Sequence, residues 1–315
     1  MNLDINDAAI SSLAHLVGND NLKRSIQVAL DYAQTEGTAF PSTTLLGGAG
    51  LGKSSIASVI AKEMAADFLE VIGQSLTSVS DLNHLLLSAS EKSVVHLDEA
   101  HSISVPLQTS LLLALDKKTV YVNVGGQSPQ PIKLSNFTLI LSTTEEYDLL
   151  PPLRDRMRLV LRLSYLSVPE LAKVVLHRSR ALGWDVHEAA LPLIGERAKG
   201  TPRLALRLLQ SCRRVCRAQG DTTITPKHLE TACELDQLDS LGLDATEQAY
   251  LRILADGPAR LNVLATRIGV PIQTVQRVTE ATLVRLGLVG KDKNGVRELT
   301  GKGREHLSGL RPETG

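Results

Sequence analysis

The chain is poor in aromatic residues and cysteines and has no long apolar run. Phe, Trp and Tyr account for 3% of its 315 residues, so its hydrophobic cores must be built mainly from Leu, Val, Ile and Ala. Three cysteines, an odd number, do not provide a disulfide framework, and a chain of this length does not need one. Because no apolar run reaches about 18 residues and the N-terminus carries acids where a signal peptide has positive charge, we expect neither a membrane span nor an export signal. The expected location is a bacterial cytoplasm.

The chain also lacks an excess of charge, since 34 basic residues balance 34 acidic ones. The balance is uneven along the sequence. Residues 1–161 carry 11 Lys and Arg against 17 Asp and Glu, whereas residues 162–238 carry 12 against 8 and residues 239–315 carry 11 against 9. The mildly basic C-terminal half is compatible with a polyanionic partner. With 43% hydrophobic and 22% charged residues, the composition excludes a disordered or fibrous chain, and the length predicts two or three domains.

Hydrophobic periodicity divides the chain into three parts. In the first part, short buried strands at 44–46, 93–97 and 137–142 alternate with amphipathic helices, the pattern of a parallel sheet with helices on both faces. Strand signals then disappear and helices predominate. The last part has three helices followed by a small hairpin with a turn at Asn294-Gly295. The predicted domains are an α/β domain over residues 1–163, a small helical domain over 164–238 and a winged helix over 239–315.

The segment GGAGLGKS at 47–54 matches the phosphate-binding pattern G-x-x-x-x-G-K-[ST] and lies between a predicted strand and a predicted helix. Its glycines let backbone N–H groups point at phosphate oxygens, and the following helix adds its N-terminal partial charge. Lys53 supplies a positive charge for the phosphates, and the hydroxyl of Ser54 can ligate Mg²⁺. The predicted nucleotide-binding residues of this loop are Gly47, Gly50, Gly52, Lys53, Ser54 and Ser55.

Two acids, Asp98 and Glu99, end the apolar strand at 93–97. Downstream of a phosphate-binding loop, such a pair predicts that Asp98 holds Mg²⁺ together with Ser54 and that Glu99 polarises the attacking water of ATP hydrolysis. With the next two residues the pair spells DEAH, the name of a two-lobed helicase superfamily. Because the chain continues with helices and a wing rather than a second α/β lobe, we reject that identity.

Taken together, these features resemble the RuvB family, AAA+ ATPases that drive branch migration of Holliday junctions. The resemblance runs from about residue 16 to residue 307. It implies an AAA+ P-loop domain, a helical lid domain and a C-terminal winged helix. It rests on VGN at 17–19, GAGLGKSS at 48–55, the acid pair, FTLI at 137–140, PLRDR at 152–156, GTPR at 200–203 and GLD at 242–244.

The resemblance implies roles for three residues beyond the phosphate loop. Thr144, after the strand at 137–142, matches a sensor that orients the hydrolytic water. Arg156 matches an arginine finger that reaches the γ-phosphate in a neighbouring subunit, which implies a homo-oligomeric ring, hexameric in the family. Arg203 matches a second sensor that touches the nucleotide. Arg154, two residues before the finger, is expected to be structural.

An alternating pattern at about 118–135 predicts a β-hairpin inserted before the sensor strand. The resemblance implies that this hairpin binds a junction-recognition partner, RuvA. The alternative is a hairpin that packs only on its own domain. The predicted contact residues are Val122, Val124, Ile132 and Leu134.

Lys291, Lys293 and Arg297 cluster around the turn at Asn294-Gly295 of the predicted wing. Phosphate contact needs charge rather than base readout, so these three side chains are the predicted DNA-binding residues. The alternative is a solvated charged turn without a role in DNA binding.

The chain also departs from the usual family pattern. Gly48-Ala49 replaces a double proline, Ser102 and Glu145 replace arginines, and Ala9-Ile10 stands where an Arg-Pro pair flanks the adenine. We expect an ATP- and Mg²⁺-dependent ring motor that translocates duplex DNA and moves four-way junctions in recombination and repair. The alternatives are a clamp-loader-like or remodelling ATPase and a nucleotide-gated DNA-binding regulator.

Overall fold

The computed structural model describes Ile5 and residues 10–122 and 128–309. Ala9 and Val124, both named above, lie outside these residues. The chain divides into two compact units. The N-terminal unit comprises Met1–Glu170 with Thr201–Arg203, and the C-terminal unit comprises Leu171–Gly200 with Leu204–Gly315.

The N-terminal unit is built on a five-stranded parallel sheet with the order β2-β3-β6-β1-β7. The three central strands are almost entirely buried, which explains why their apolar residues do not alternate with exposed polar ones. The strands are β1 (Thr43–Leu46), β2 (Phe68–Ile72), β3 (Val94–Asp98), β6 (Thr138–Thr143) and β7 (Leu159–Arg162).

Helices cover both faces of this sheet. Alternate residues of β6 enter different cores, since Leu139 and Leu141 pack with α3 and α4 whereas Ile140 packs with α1 and α2. The predicted parallel sheet with helices on both faces is therefore confirmed. The helices of this unit are α1 (Asp20–Thr35), α2 (Lys53–Glu63), α3 (Val79–Leu87), α4 (Val105–Lys117) and α5 (Pro151–Arg156).

The predicted hairpin is formed by the antiparallel strands β4 (Thr119–Val122) and β5 (Gln130–Lys133). Val120 is buried in the core beside α3 and α4. Its cross-strand neighbour Ile132 is exposed. Val120 thus anchors the hairpin, whereas Ile132 is presented to solvent.

The C-terminal unit begins with a small helical part. Two strands of two residues each, β8 (Asp185–Val186) and β9 (Thr223–Ile224), pair in parallel and were not predicted, because runs this short carry no period-2 signal. Its cysteines are buried thiols, and burial raises the pKa of Cys212 to about 12. The helices are α6 (Val168–Ala181), α7 (Ala190–Arg197), α8 (Pro202–Ala218) and α9 (Pro226–Leu235). The first residues of α6 and of α8 belong to the N-terminal unit.

The rest of this unit has the outline of a winged helix. Helices α10 and α11 are followed by α12, which continues through the π-helical residues Val275–Glu280 into α13. The antiparallel sheet has the order β10-β12-β11. A further helix, α14, was not predicted. The bounds are α10 (Ala245–Ala255), β10 (Ala259–Arg260), α11 (Leu261–Ile268), α12 (Ile272–Thr274), α13 (Ala281–Arg285), β11 (Val289–Lys291), β12 (Val296–Leu299) and α14 (Gly301–Gly309).

The helical part and the winged helix are joined by a packed segment. Gly242 has a φ of 72°, and a side chain there would overlap the carbonyl oxygen of Arg197. Lys199 Nζ lies 2.6 Å from Glu247 Oε2, with side chains only 10% and 5% exposed. The connecting residues 237–243 are therefore held against both neighbours, since Gln248 Nε2 of α10 also donates to the carbonyl oxygen of Leu243 at 2.8 Å. Among the residues that the structure describes, no helix has the length and apolarity needed to cross a membrane.

Candidate functional site

The phosphate loop connects β1 to α2 at the carboxyl end of the sheet, where ligands bind in open α/β folds. Gly50 and Gly52 have φ values of 79° and 96°, a backbone conformation that favours glycine. Lys53 begins α2 and donates hydrogen bonds from Nζ to the carbonyl oxygens of Gly47 at 2.7 Å and Gly48 at 3.1 Å. Burial lowers the pKa of the Lys53 ammonium, and the nearby charge of Asp98 opposes that shift.

The structure brings together the two predicted magnesium ligands. Ser54 Oγ donates a hydrogen bond to Asp98 Oδ2 at 2.9 Å, and the backbone N–H of Glu99 donates to Asp98 Oδ1 at 3.0 Å. A hydroxyl and a carboxylate side by side are hard oxygen ligands of the kind that Mg²⁺ prefers, so this donor set fits the ion. Ser55, in the same turn of α2, is exposed.

Glu99 follows Asp98 in a strained turn. Its φ is 49°, a left-handed conformation that is uncommon for a residue other than glycine. Ser102 Oγ donates to the carbonyl oxygen of Glu99 at 2.7 Å, and a Cβ added at Gly73 would lie 2.7 Å from the same oxygen. The backbone is therefore fixed while the Glu99 side chain is exposed. Strain of this type is typical of functional sites.

The end of β6 faces the acid pair. Thr143 is buried, and its Oγ1 lies 3.0 Å from His101 Nδ1 and accepts a hydrogen bond from the backbone N–H of Glu145 at 2.9 Å. Thr144, the predicted sensor, directly follows Thr143, and its side chain is exposed. Thr143 and His101, which fix this turn, were not predicted. The only sequence signals for them were the place of His101 at the end of the DEAH segment and that of Thr143 directly before the predicted sensor.

A second polar network lies beneath the acid pair. His96 is fully buried in β3, with Nδ1 3.0 Å from Glu70 Oε1 and Nε2 2.7 Å from Ser142 Oγ. Burial lowers the pKa of the His96 imidazole, although the charge of Asp98 opposes this. Since a carboxylate can only accept, a neutral His96 donates from Nδ1 to Glu70 and accepts from Ser142. His96 thus links three strands of the sheet.

Arg203 is brought to the phosphate loop. Its backbone N–H donates to the carbonyl oxygen of Gly50 at 3.2 Å, and a Cβ added at Gly50 would lie 2.8 Å from Arg203 Cβ. Its positive charge also contributes to lowering the pKa of Lys53. Arg203 therefore lies directly against the phosphate loop.

Arg156 does not pair with an acid of this site. It ends α5, and its guanidinium forms an ion pair with Asp116 at the end of α4. Arg154 is half-buried, with its guanidinium 5.3 Å from the centre of the Tyr147 ring. The arginine predicted to act in trans is thus exposed, and its neighbour is packed within its own subunit.

The predicted partner residues of the hairpin differ in exposure. Val122 and Leu134 pack partly against the core of their own unit, whereas Ile132 is 39% exposed. Val124 lies outside the described residues. Tyr121, which was not predicted, is also exposed and pairs in register with Pro131 of β5.

Arg297 does not belong with the other two predicted DNA-binding residues. Lys291 and Lys293 are exposed, but the Arg297 side chain is 7% exposed and donates to the Glu280 carboxylate at 2.7 and 3.1 Å. Tyr250 Oη donates to the same carboxylate at 2.9 Å. The expectation that Arg297 contacts DNA is therefore wrong for this structure, because its position on β12 directs the side chain inward.

The fold and the site define a P-loop ATPase with a lid and a winged helix. The parallel sheet, the phosphate loop and the Ser54–Asp98 pair carry that assignment. The chain belongs to the RuvB family. Models of that family match consecutive parts of it, namely the Holliday junction DNA helicase RuvB P-loop domain over residues 10–163, the RuvB AAA lid domain over 166–239 and the RuvB C-terminal winged helix domain over 240–308.

Individual relatives are similar over nearly the whole chain. The Holliday junction branch migration complex subunit RuvB of Cutibacterium acnes is 35% identical over 308 residues, which cover 96% of this chain and 90% of the relative. The protein of the same name from Thermobifida fusca is 35% identical over 309 residues, covering 96% and 87%. A solved structure, the Thermotoga maritima RuvB Holliday junction branch migration motor, superposes with a TM-score of 0.84 at 28% identity, covering 97% of this chain and 99% of that one.

These comparisons confirm the family and the fold that the sequence predicted. The protein is a nucleotide-binding P-loop ATPase of the RuvB family. The individual roles of the site residues stay predictions.

Proposed function

We propose that this protein is a DNA motor that uses Mg²⁺ and ATP to move four-way junctions in recombination and repair. The observation that carries this proposal is the pairing of Ser54 with Asp98 beside Lys53. The chain that holds this pair is similar over nearly its whole length to proteins named as branch migration subunits. That likeness includes the lid and the winged helix, and it favours a motor over a clamp-loader-like ATPase or a regulator.

In this proposal ATP lies along the phosphate loop, with Gly47, Gly50 and Gly52 exposing backbone N–H groups to the phosphates. Lys53 leaves its carbonyl partners for phosphate oxygens, and Ser54 and Asp98 hold Mg²⁺. The ion supplies charge that stabilises the transferred phosphoryl group. Glu99 polarises the attacking water and Thr144 orients it. Ser55 and Arg203 complete the predicted nucleotide contacts.

Arg156 acts in this scheme on the ATP of a neighbouring subunit. Support comes from its place at the end of α5, with a side chain 52% exposed. A guanidinium inserted at the γ-phosphate is worth about 10³ to 10⁵ in rate, because it neutralises charge in the transition state. Hydrolysis therefore depends on assembly, and we propose the hexameric ring of the family.

We propose that Lys291 and Lys293 contact phosphates of duplex or four-way-junction DNA. The hairpin binds a RuvA-like protein through its exposed residue Ile132. The inward packing of Val122 and Leu134 gives those two a role in supporting the hairpin. The compartment proposed is the bacterial cytoplasm, since the named relatives are bacterial proteins.

The test is a strand-exchange assay on a synthetic four-way junction with ATP, with and without RuvA, in parallel with nucleotide binding. We expect junction movement by the wild type. Lys53→Ala should abolish binding of a fluorescent ATP analogue, whereas Arg156→Ala should bind it normally and hydrolyse ATP at least about 10³-fold more slowly. Arg158→Ala, which removes an exposed arginine two residues further on, is the control and should behave as wild type.

Two results would contradict the proposal. Equal loss of nucleotide binding in Lys53→Ala and Arg156→Ala would contradict the separate roles of the two residues. ATP hydrolysis that is indifferent to DNA, with no junction movement, would instead favour a remodelling ATPase.

A further inference from the structure

The turn that carries Arg156 holds its two arginines in different ways. The Arg154 guanidinium lies over the Tyr147 ring and is half-buried. The Arg156 guanidinium pairs through Nη2 with Oδ1 of Asp116, and the two side chains are 52% and 35% exposed. The proposed finger is therefore held by a carboxylate of its own subunit.

The backbone on both sides of this ion pair is fixed by the core. Leu153 and Met157, which flank Arg156 on and after α5, are buried, and so are Leu111 and Ala114 on α4. All four residues belong to the same hydrophobic cluster. The position of the Arg156 Cα is thus set by packing, and what remains variable is the side chain.

We propose that Asp116 is a positioning residue that orients the Arg156 guanidinium toward the neighbouring ATP site. This inference rests on the proposed role of Arg156 in trans. An arginine side chain loses more rotamer freedom on being fixed than most others. A carboxylate that restricts the guanidinium before the subunits meet reduces the loss at the moment of catalysis, which is the benefit of preorganisation.

The charge of Asp116 also has an opposing effect, because a carboxylate weakens the attraction of the guanidinium for phosphate. Two features make this effect the smaller one. The pair is exposed enough for water to screen the carboxylate. The guanidinium also has five N–H donors in a planar fork, so the contact through Nη2 leaves others for phosphate oxygens.

The experiment uses mixed rings, in which the donor of the finger and the receiving site are on different subunits. Glu99→Gln subunits keep the finger but do not hydrolyse their own ATP, and Arg156→Ala subunits keep the hydrolytic site but have no finger. Neither variant alone should turn over. Mixing them should restore hydrolysis at interfaces where a Glu99→Gln subunit presents Arg156 to an Arg156→Ala site.

Asp116→Ala is then added to one type of subunit at a time. On the Glu99→Gln subunit it should lower the restored rate about tenfold, equivalent to about 1.4 kcal/mol at 25 °C. On the Arg156→Ala subunit it should leave the rate within twofold, since that subunit donates no finger. Asp155→Ala on the Glu99→Gln subunit removes an exposed acid from the same turn and should have no effect.

The outcomes separate the inference from the proposal on which it rests. If mixing restores no hydrolysis, the role of Arg156 in trans is wrong and the proposed function fails with it. If mixing restores hydrolysis but Asp116→Ala acts equally in either subunit, or in neither, the positioning role alone is overturned. Asp116→Asn, which keeps the shape and an oxygen acceptor, guards against misfolding. It should lower the rate about threefold on the donor side only, with unchanged ATP affinity and circular dichroism.

Discussion

Replacing Lys199 with methionine should destabilise the C-terminal unit by about 3 kcal/mol at pH 7. Lys199 and Glu247 form an ion pair of 2.6 Å with almost no exposure to solvent. Glu247 Oε2 also accepts the backbone N–H of Asp244, which caps α10. Removing the ammonium leaves a carboxylate without its counter-charge in a dry environment, and breaking a buried pair in this way costs about 3 to 5 kcal/mol.

The magnitude has an upper bound because Glu247 can take up a proton. Burial raises the pKa of Glu247 above 4.5, and the charge of Lys199 opposes this. Starting from 4.5, protonation at pH 7 costs at most about 3.4 kcal/mol, at about 1.36 kcal/mol for each pH unit. At pH 5 the same cost is about 0.7 kcal/mol. The loss caused by Lys199→Met should therefore shrink to about 1 kcal/mol or less at pH 5.

Trp184 provides the assay. It is the single tryptophan of the chain and belongs to the same unit as the ion pair. Urea unfolding followed by its fluorescence, at pH 7 and at pH 5, reports the free energy directly. Lys199→Met with Glu247→Gln should recover most of the stability at pH 7, and Lys173→Met, which removes an exposed lysine, should cost little. A loss under 1 kcal/mol at pH 7, or an equal loss at both pH values, would refute the reasoning.

Two further predictions concern the winged helix. The double variant Lys291→Ala with Lys293→Ala should weaken DNA binding and reduce the slope of log K against log salt by up to about 1.8. Fluorescence anisotropy at several salt concentrations measures this slope, with Lys227→Ala on α9 as the control. An unchanged slope would show that neither lysine contacts DNA. Burial alone would raise the pKa of Glu280, but hydrogen bonds from Arg297 and Tyr250 outweigh it and lower the pKa. The stability that this carboxylate contributes is thus present above its unfolded pKa of about 4.5 and is lost as pH falls through the lower folded value. Hydrogen exchange of the β12 amides, corrected for intrinsic rates, should show protection that decreases in the wild type as the pH is lowered below about 4.5. The dependence of protection on pH should be flatter in Glu280→Gln, and identical dependences would contradict this prediction.

The sequence predicted the parts of the site that depend on neighbouring residues. The phosphate loop needs glycines at Gly50 and Gly52 because of their backbone angles, and the acid pair must directly follow a buried strand. Such requirements are written into a few consecutive residues. The hydrophobic pattern of the central strands is equally local, which is why the parallel sheet was predictable.

Contacts between distant residues were not predictable in this way. Arg297 looked like a surface cation because it follows a turn, yet it lies in phase with buried Leu299 on β12 and meets Glu280, 17 residues earlier. The pairs Arg156–Asp116 and Lys199–Glu247 likewise exist only once helices have packed. A charged residue has the same appearance in a sequence whether its partner is water, a phosphate or a buried acid.

The close packing around Gly242 limits how this chain can be recombined with its relatives. A chimera that took its winged helix from another protein and was cut within the segment 237–243 would separate Gly242 from the Arg197 carbonyl and Glu247 from Lys199. The foreign module would then meet a surface shaped for a different neighbour. Exchange is compatible with these contacts only when the helical part is exchanged together with the winged helix, so a chimera should treat the two as one module.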